Sequence, residues 1–112
     1  MSSDEIRLRR LAENESVFRE VNERIEESAE RFRITTQARF VCECADPSCT
    51  QSIELTLTEY EAVRAGPARF ALKSGHEEPD IERVVEEHDR YLVVEKMEGP
   101  GRDRAAELDP RS

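Results

Sequence analysis

All three cysteines of this chain fall within eight residues, Cys42-Glu43-Cys44-Ala45-Asp46-Pro47-Ser48-Cys49. A strand running through Cys44 places Cys42 and Cys44 on one side by its period of two, and Asp-Pro-Ser is turn chemistry able to fold Cys49 back toward them. Three thiols then surround one point. Structural zinc takes four ligands, mostly thiolate and imidazole, at tetrahedral geometry, so this C-x-C-x4-C segment lacks one. Free cysteines also serve as small buried hydrophobes, but packing alone gives no reason for them to cluster while the rest of the chain has none.

The chain needs such a staple because its core must be thin. Of 112 residues, 37% are apolar, 38% are charged and none is Trp, which lies at the polar end of globular composition without reaching the profile of disorder. The apolar residues concentrate between Ile34 and Met97, a stretch so short that burial alone gives marginal stability.

The fourth ligand is read as His76. Ser74-Gly75 before it and Pro79 after it mark a tight loop that can carry an imidazole to the hairpin tip. His88, beside the turn residues Asp89 and Arg90, and the carboxylate of Asp46 are the alternatives. An iron–sulfur cluster normally takes four cysteines at other spacings. A Cys44–Cys49 redox switch needs depressed thiol pKa values, which Glu43 and Asp46 oppose until a metal reverses the local charge. Catalytic zinc needs an open position and a general base. His76-Glu77-Glu78 offers the H-x-E element of zinc deaminases, but the P-C-x-x-C partner is missing and the order is reversed. Glu77, Glu78 and Asp80 read as a solvated loop. No phosphate-cradling glycine loop or nucleophile motif occurs, so no catalytic residue and no organic cofactor is assigned.

The net charge of -9 is spread over the whole sequence without a basic block, which opposes nucleic-acid binding electrostatically. No apolar run approaches the ~18–20 residues of a membrane span, and Met-Ser-Ser-Asp-Glu-Ile-Arg lacks a signal peptide's apolar core. A cytoplasmic location without membrane partners is expected. There thiols stay reduced, which suits metal better than a disulfide that would leave one thiol over.

From Asp4 to about Phe32 the charges alternate and Gly and Pro are absent. Leu11, Phe18, Val21, Ile25 and Phe32 form an apolar stripe at helical spacing, which predicts an amphipathic helix docked on its own domain or paired with a second copy. Ala38–Cys42 and Ile53–Leu57 read as strands flanking the cysteines. Thr58-Glu59-Tyr60-Glu61 reads as a capping box opening a short helix that stops at Gly66-Pro67. Arg69–Lys73 reads as a strand, and residues 81–86 and 91–96 as a second hairpin. After Met97 the polar tail has too little apolar surface to order itself.

Val21-Asn22-Glu23-Arg24-Ile25, Phe40-Val41-Cys42-Glu43-Cys44 with Cys49, the segment from Glu54 to Arg64, Gly75-His76-Glu77 and Tyr91–Lys96 together carry a resemblance. Over residues 15–97 the chain resembles a family of small uncharacterised bacterial proteins, chiefly actinobacterial, that pair a charged N-terminal helix with a cysteine-bearing hairpin. The resemblance implies a recurring structural unit and carries no activity with it.

The expected architecture is α+β: an N-terminal helix over 1–33, a zinc-stapled domain over 34–97 with a small, mostly antiparallel sheet and one short helix, and an unordered tail over 98–112. The metal ligands are Cys42, Cys44, Cys49 and His76, holding structural Zn2+. The expected role is a non-catalytic protein-interaction or adaptor module, engaging an unknown protein partner or self-associating through the N-terminal helix. A metal- or redox-responsive regulator is the alternative, and a zinc enzyme ranks behind both.

Overall fold

The computed structural model describes residues 2–111. Helix α1 (Ser3–Arg31) begins where the Ser2 hydroxyl accepts the Glu5 N–H at 3.1 Å, with Asp4 and Glu5 in the first turn to complement the helix dipole. It ends where Arg33 adopts φ +55°, so that the Arg33 N–H reaches Glu30 O and the Ile34 N–H reaches Ala29 O, the paired bonds of a Schellman motif.

Two antiparallel sheets follow. Strands β1 (Ala38–Val41) and β2 (Ser52–Leu55) form a hairpin. Helix α2 (Leu57–Val63) leads to β3 (Arg69–Leu72), β4 (Glu82–Glu87) and β5 (Leu92–Lys96), which form a sheet in the order β3-β5-β4. β4 carries a bulge: Val84 faces Val94 while Glu86 faces Val93. The period of two divides the core about this sheet. Phe70, Leu72, Leu92 and Val94 pack with Ala12, Cys42 and Cys44 on one face. Ala71, Tyr91 and Val93 pack on the other with Phe40, Ile53, Leu55, Tyr60 and Val63. β5 is therefore buried on both faces, which explains the unbroken apolar run Tyr91–Val94.

The long helix, antiparallel strands and short capped helix make an α+β fold. No helix among the described residues is long and apolar enough to cross a membrane.

Three expectations are corrected. The capping box is formed by Thr56 and Glu59, not Thr58 and Glu61: the Glu59 N–H donates to Thr56 Oγ1 and the Thr56 N–H to Glu59 Oε1. β2 accordingly ends at Leu55, two residues sooner than alternation suggested. The tail is also ordered. Pro100–Glu107 form helix α3, with Pro100 in the first turn, and it packs on α1. Small residues permit this: a Cβ on Gly101 would lie 3.2 Å from Leu8 O, Ala105 is fully buried, and Arg19 Nη2 donates to Ala105 O at 2.8 Å. Backbone approach and a buried guanidinium replace the apolar surface the tail lacks.

The third correction concerns the face by which α1 docks on its own domain, which is polar and not the apolar stripe. Its inward face consists of Ala12, Glu15, Ser16, Arg19, Asn22, Glu26 and Ala29, whereas Val21 and Phe32 of the expected stripe are exposed. Leu11, Phe18 and Ile25 are half-buried at its margin. The polar residues can face inward because the body answers them. Arg19 donates to the carbonyls of Pro67 and Ala105 and lies over the Phe70 ring. Glu15 pairs with buried Lys96, which also faces Glu82. A buried polar group with such partners avoids the penalty of an unmade hydrogen bond.

Candidate metal centre

The first hairpin delivers two thiols. The Cys42 N–H continues the β1–β2 ladder to Gln51 O, and Cys44 follows on the same side, both sulfurs within the core. The third thiol is returned by a turn. The Asp46 carboxylate accepts from the Ser48 N–H and hydroxyl at 2.9 and 2.7 Å, and the Cys49 N–H donates to Asp46 O. These bonds hold the Asp46 carboxyl below its usual range, and the ligand atoms that converge are those of Cys42, Cys44, Cys49 and His76, without Asp46.

His76 comes from the loop after β3. Its N–H donates to Lys73 O at 3.0 Å, and Gly75 at φ +93° allows the bend, in a backbone region that other residues rarely adopt. His76 Nδ1 lies 3.6 Å from both Cys42 Sγ and Cys49 Sγ. The ligand atoms of Cys42, Cys44, Cys49 and His76 all lie within 4.8 Å of one another. With Zn–S near 2.3 Å and Zn–N near 2.05 Å, tetrahedral angles place sulfur and nitrogen about 3.6 Å apart. The donor set and its spacing therefore fit a tetrahedral thiolate–imidazole centre. His88 is elsewhere: its ring stacks on Tyr91, and Nε2 meets Glu86 Oε1 at 2.9 Å on the β4–β5 turn.

Electrostatics set the protonation of the free thiols. Burial pushes the Cys42 thiol far up and the Cys44 thiol up to about 11, so without metal both stay protonated at neutral pH. A bound divalent cation reverses this and deprotonates its thiols outright. The Lys73 N–H, 3.2 Å from Cys42 Sγ, is already aimed at the charge such a thiolate would carry.

Glu43, between two of the cysteines, reads in the sequence only as a charge beside the thiols. Its side chain is fully buried, and three donors meet it: Asn22 Nδ2 at 2.8 Å, the Tyr60 hydroxyl at 3.0 Å and the Ala71 N–H at 2.9 Å. The Glu43 N–H itself donates to Ala71 O, so this residue joins the two sheets. Asn22 also brackets Val41, accepting its N–H and donating to its carbonyl, both at 2.8 Å. Tyr60 stacks on Phe40 with ring centroids 4.5 Å apart. The cysteine-bearing turn is thus tied to α1, α2 and β3 through one carboxylate, which fixes where Cys42 and Cys44 point. The signal in the sequence was weak: a carboxylate flanked by cysteines, with Asn22 interrupting the polar-apolar pattern of α1.

Compared with known proteins, the chain matches no protein family, no curated protein and no solved structure. The reading of the centre rests on its own geometry and chemistry.

Proposed function

We propose that this chain is a small non-catalytic zinc-binding protein, in which a Cys3His site made by Cys42, Cys44, Cys49 and His76 staples the first hairpin to the β3–β4 loop and thereby holds a protein-interaction surface in shape. The supporting observation is the convergence of four soft or borderline donors at tetrahedral spacing, with two sulfur–nitrogen distances of 3.6 Å. Four protein ligands complete the tetrahedron and leave no position for a reacting water, so the metal's contribution is to folding. Such ligation supplies on the order of 10 kcal/mol, enough to decide the stability of so small a core. Three thiols kept as ligands suit a reducing compartment such as the cytoplasm.

Protein purified without added metal is expected to contain one zinc per chain, and Cys44→Ser to lose it together with the folded-state signals. Cobalt substitution should give the intense visible bands of a tetrahedral thiolate site. A metal-free chain that stays folded would overturn the reading.

A second reading, a metal- or redox-responsive regulator, is favoured by the unequal burial of the ligands: Cys42 and Cys44 are enclosed, whereas Cys49 and His76 are half-buried on the solvent side. Competition separates the two. A structural site resists a moderate chelator, and a sensor yields its metal to one.

A further inference from the structure

With its polar face turned in, α1 leaves apolar side chains outside. Val17, Val21, Ile25 and Phe32 lie along one stripe, at intervals of about one or two helical turns. Val17 is 62% exposed and Phe32 71%. Two shallow grooves adjoin the stripe. One of about 500 Å³ is lined by Val17, Val21 and Leu108 together with Glu13, Glu20 and Arg104, and one of about 330 Å³ by Ile25, Ser28, Ala29, Phe32 and Ile34. A large exposed knob and a wide apolar groove therefore share one surface, which is the requirement for an isologous contact in which each copy both gives and receives.

The charges along the edge of the stripe indicate what covers it. Glu20, Arg24, Glu27 and Arg31 alternate in sign along a common side of α1. Arg24 is shared between Glu20 at 3.1 Å and Glu27 at 3.3 Å, in exposed pairs that contribute little. Arg31 has no ion pair among the described residues. Read backwards, minus-plus-minus-plus becomes plus-minus-plus-minus. Two antiparallel copies of the helix thus set Glu20 against Arg31 of the second copy and Arg24 against its Glu27, and a two-fold axis repeats both pairs. The same register puts Ile25 near the axis and carries Phe32 to the level of Val17 and Val21 in the other copy, where the wider groove lies.

We propose that this face is the contact between two copies of the chain, an antiparallel homodimer formed along α1 with its axis near Ile25. The proposal rests on the reading of the chain as an interaction module and names its partner, a second copy. It does not require the metal to lie at the contact.

The test is analytical ultracentrifugation of the zinc-loaded full chain from about 2 to 300 µM, a range that spans weak and tight self-association. Zinc content is measured in the same samples, and circular dichroism of every variant confirms its fold. A shift from one-chain to two-chain mass is expected. Phe32→Glu and Glu20→Arg should each raise the dissociation constant by about tenfold or more, as lost central contacts do. The double exchange Glu20→Arg with Arg31→Glu restores opposite signs across the axis and should regain most of the affinity. A chain that remains monomeric at the highest concentration overturns the proposal, whether or not it binds a basic amphipathic peptide instead. So does a dimer indifferent to Phe32→Glu, or one that the double exchange fails to rescue. A monomer carrying one zinc per chain sinks the dimer and leaves the zinc staple standing. A dimer without zinc does the reverse.

Discussion

Glu43→Gln is the substitution that most sharply tests whether the metal turn depends on the rest of the fold. Glutamine has the same shape, so it isolates the carboxylate's charge and acceptor capacity. Glu43 Oε1 accepts the Ala71 N–H, and an amide oxygen can keep that bond. Oε2 accepts from both Asn22 Nδ2 and the Tyr60 hydroxyl, and an amide NH2 there would confront two donors. Burial raises the Glu43 carboxyl while its three donors favour the ionised form; bonds to a charged acceptor contribute about 1.5–3 kcal/mol each, and the relief of burying that charge offsets part of this, which leaves a net loss of about 3 kcal/mol. Where the metal-free chain is unfolded and metal binds only the folded one, that loss passes directly into apparent affinity, at tenfold per ~1.4 kcal/mol. Zinc binding should therefore weaken about 100-fold although Glu43 contacts no ligand atom. Chelator competition gives the affinity, and urea unfolding of zinc-saturated protein gives the stability. Zinc affinity within about twofold of the parent, with an unchanged unfolding midpoint, would refute the argument.

Lys96→Met should be destabilising by about 3–5 kcal/mol at pH 8, because it leaves the Glu15 and Glu82 carboxylates facing each other without a cation. Burial already raises the Glu15 carboxyl and the nearby Lys96 charge lowers it, so removing Lys96 raises it further. Protonation relieves the repulsion, and the difference from parent in urea unfolding should shrink as pH falls. Glu26 is nearly enclosed, with Arg111 on Oε1 and no hydrogen-bond partner for Oε2 among the described residues. Burial, together with the adjacent Glu61 carboxyl, raises its carboxyl from 4.5 to about 8. The folded state therefore holds a proton that the unfolded chain releases, and this group's contribution is full below pH 4.5 and lost as pH rises through 8. Glu26→Gln should leave stability at pH 5 nearly unchanged and raise it at pH 9 by on the order of 2 kcal/mol in the same assay. Arg33→Gly should add about 0.5 kcal/mol in thermal unfolding, since glycine adopts φ +55° without the penalty arginine bears.

Where a feature depended on neighbours in sequence, it was legible. The strands at Ala38–Val41, Arg69–Leu72 and Leu92–Lys96 follow from apolar runs bounded by turn residues. The convergence of the three thiols follows from two cysteines one residue apart and an Asp-Pro-Ser turn. The capping box slipped by two residues because Thr56 and Thr58 are each followed at three by a glutamate, and local pattern cannot choose between them. The tail was misread because its order comes from contacts that Gly101 and Ala105 make with α1, which composition does not record.

The sequence by itself determined the long helix, the strands and the donor chemistry of the cysteine cluster. Spacing, turn residues and residue type act within a few positions of the chain, and that is the range a pattern can express. Tertiary structure decided the rest. It selected His76 over His88 by bringing the β3–β4 loop to the hairpin, gave Glu43 its three donors from α1, α2 and β3, and turned α1 so that Arg19, Asn22 and Glu26 face inward. A hydrophobic stripe indicates a burial face only when nothing stronger competes for that face. Here hydrogen bonds and ion pairs, whose partners lie 19 to 86 residues away in the chain, fix the helix from its polar side and leave Val17, Val21 and Phe32 outside.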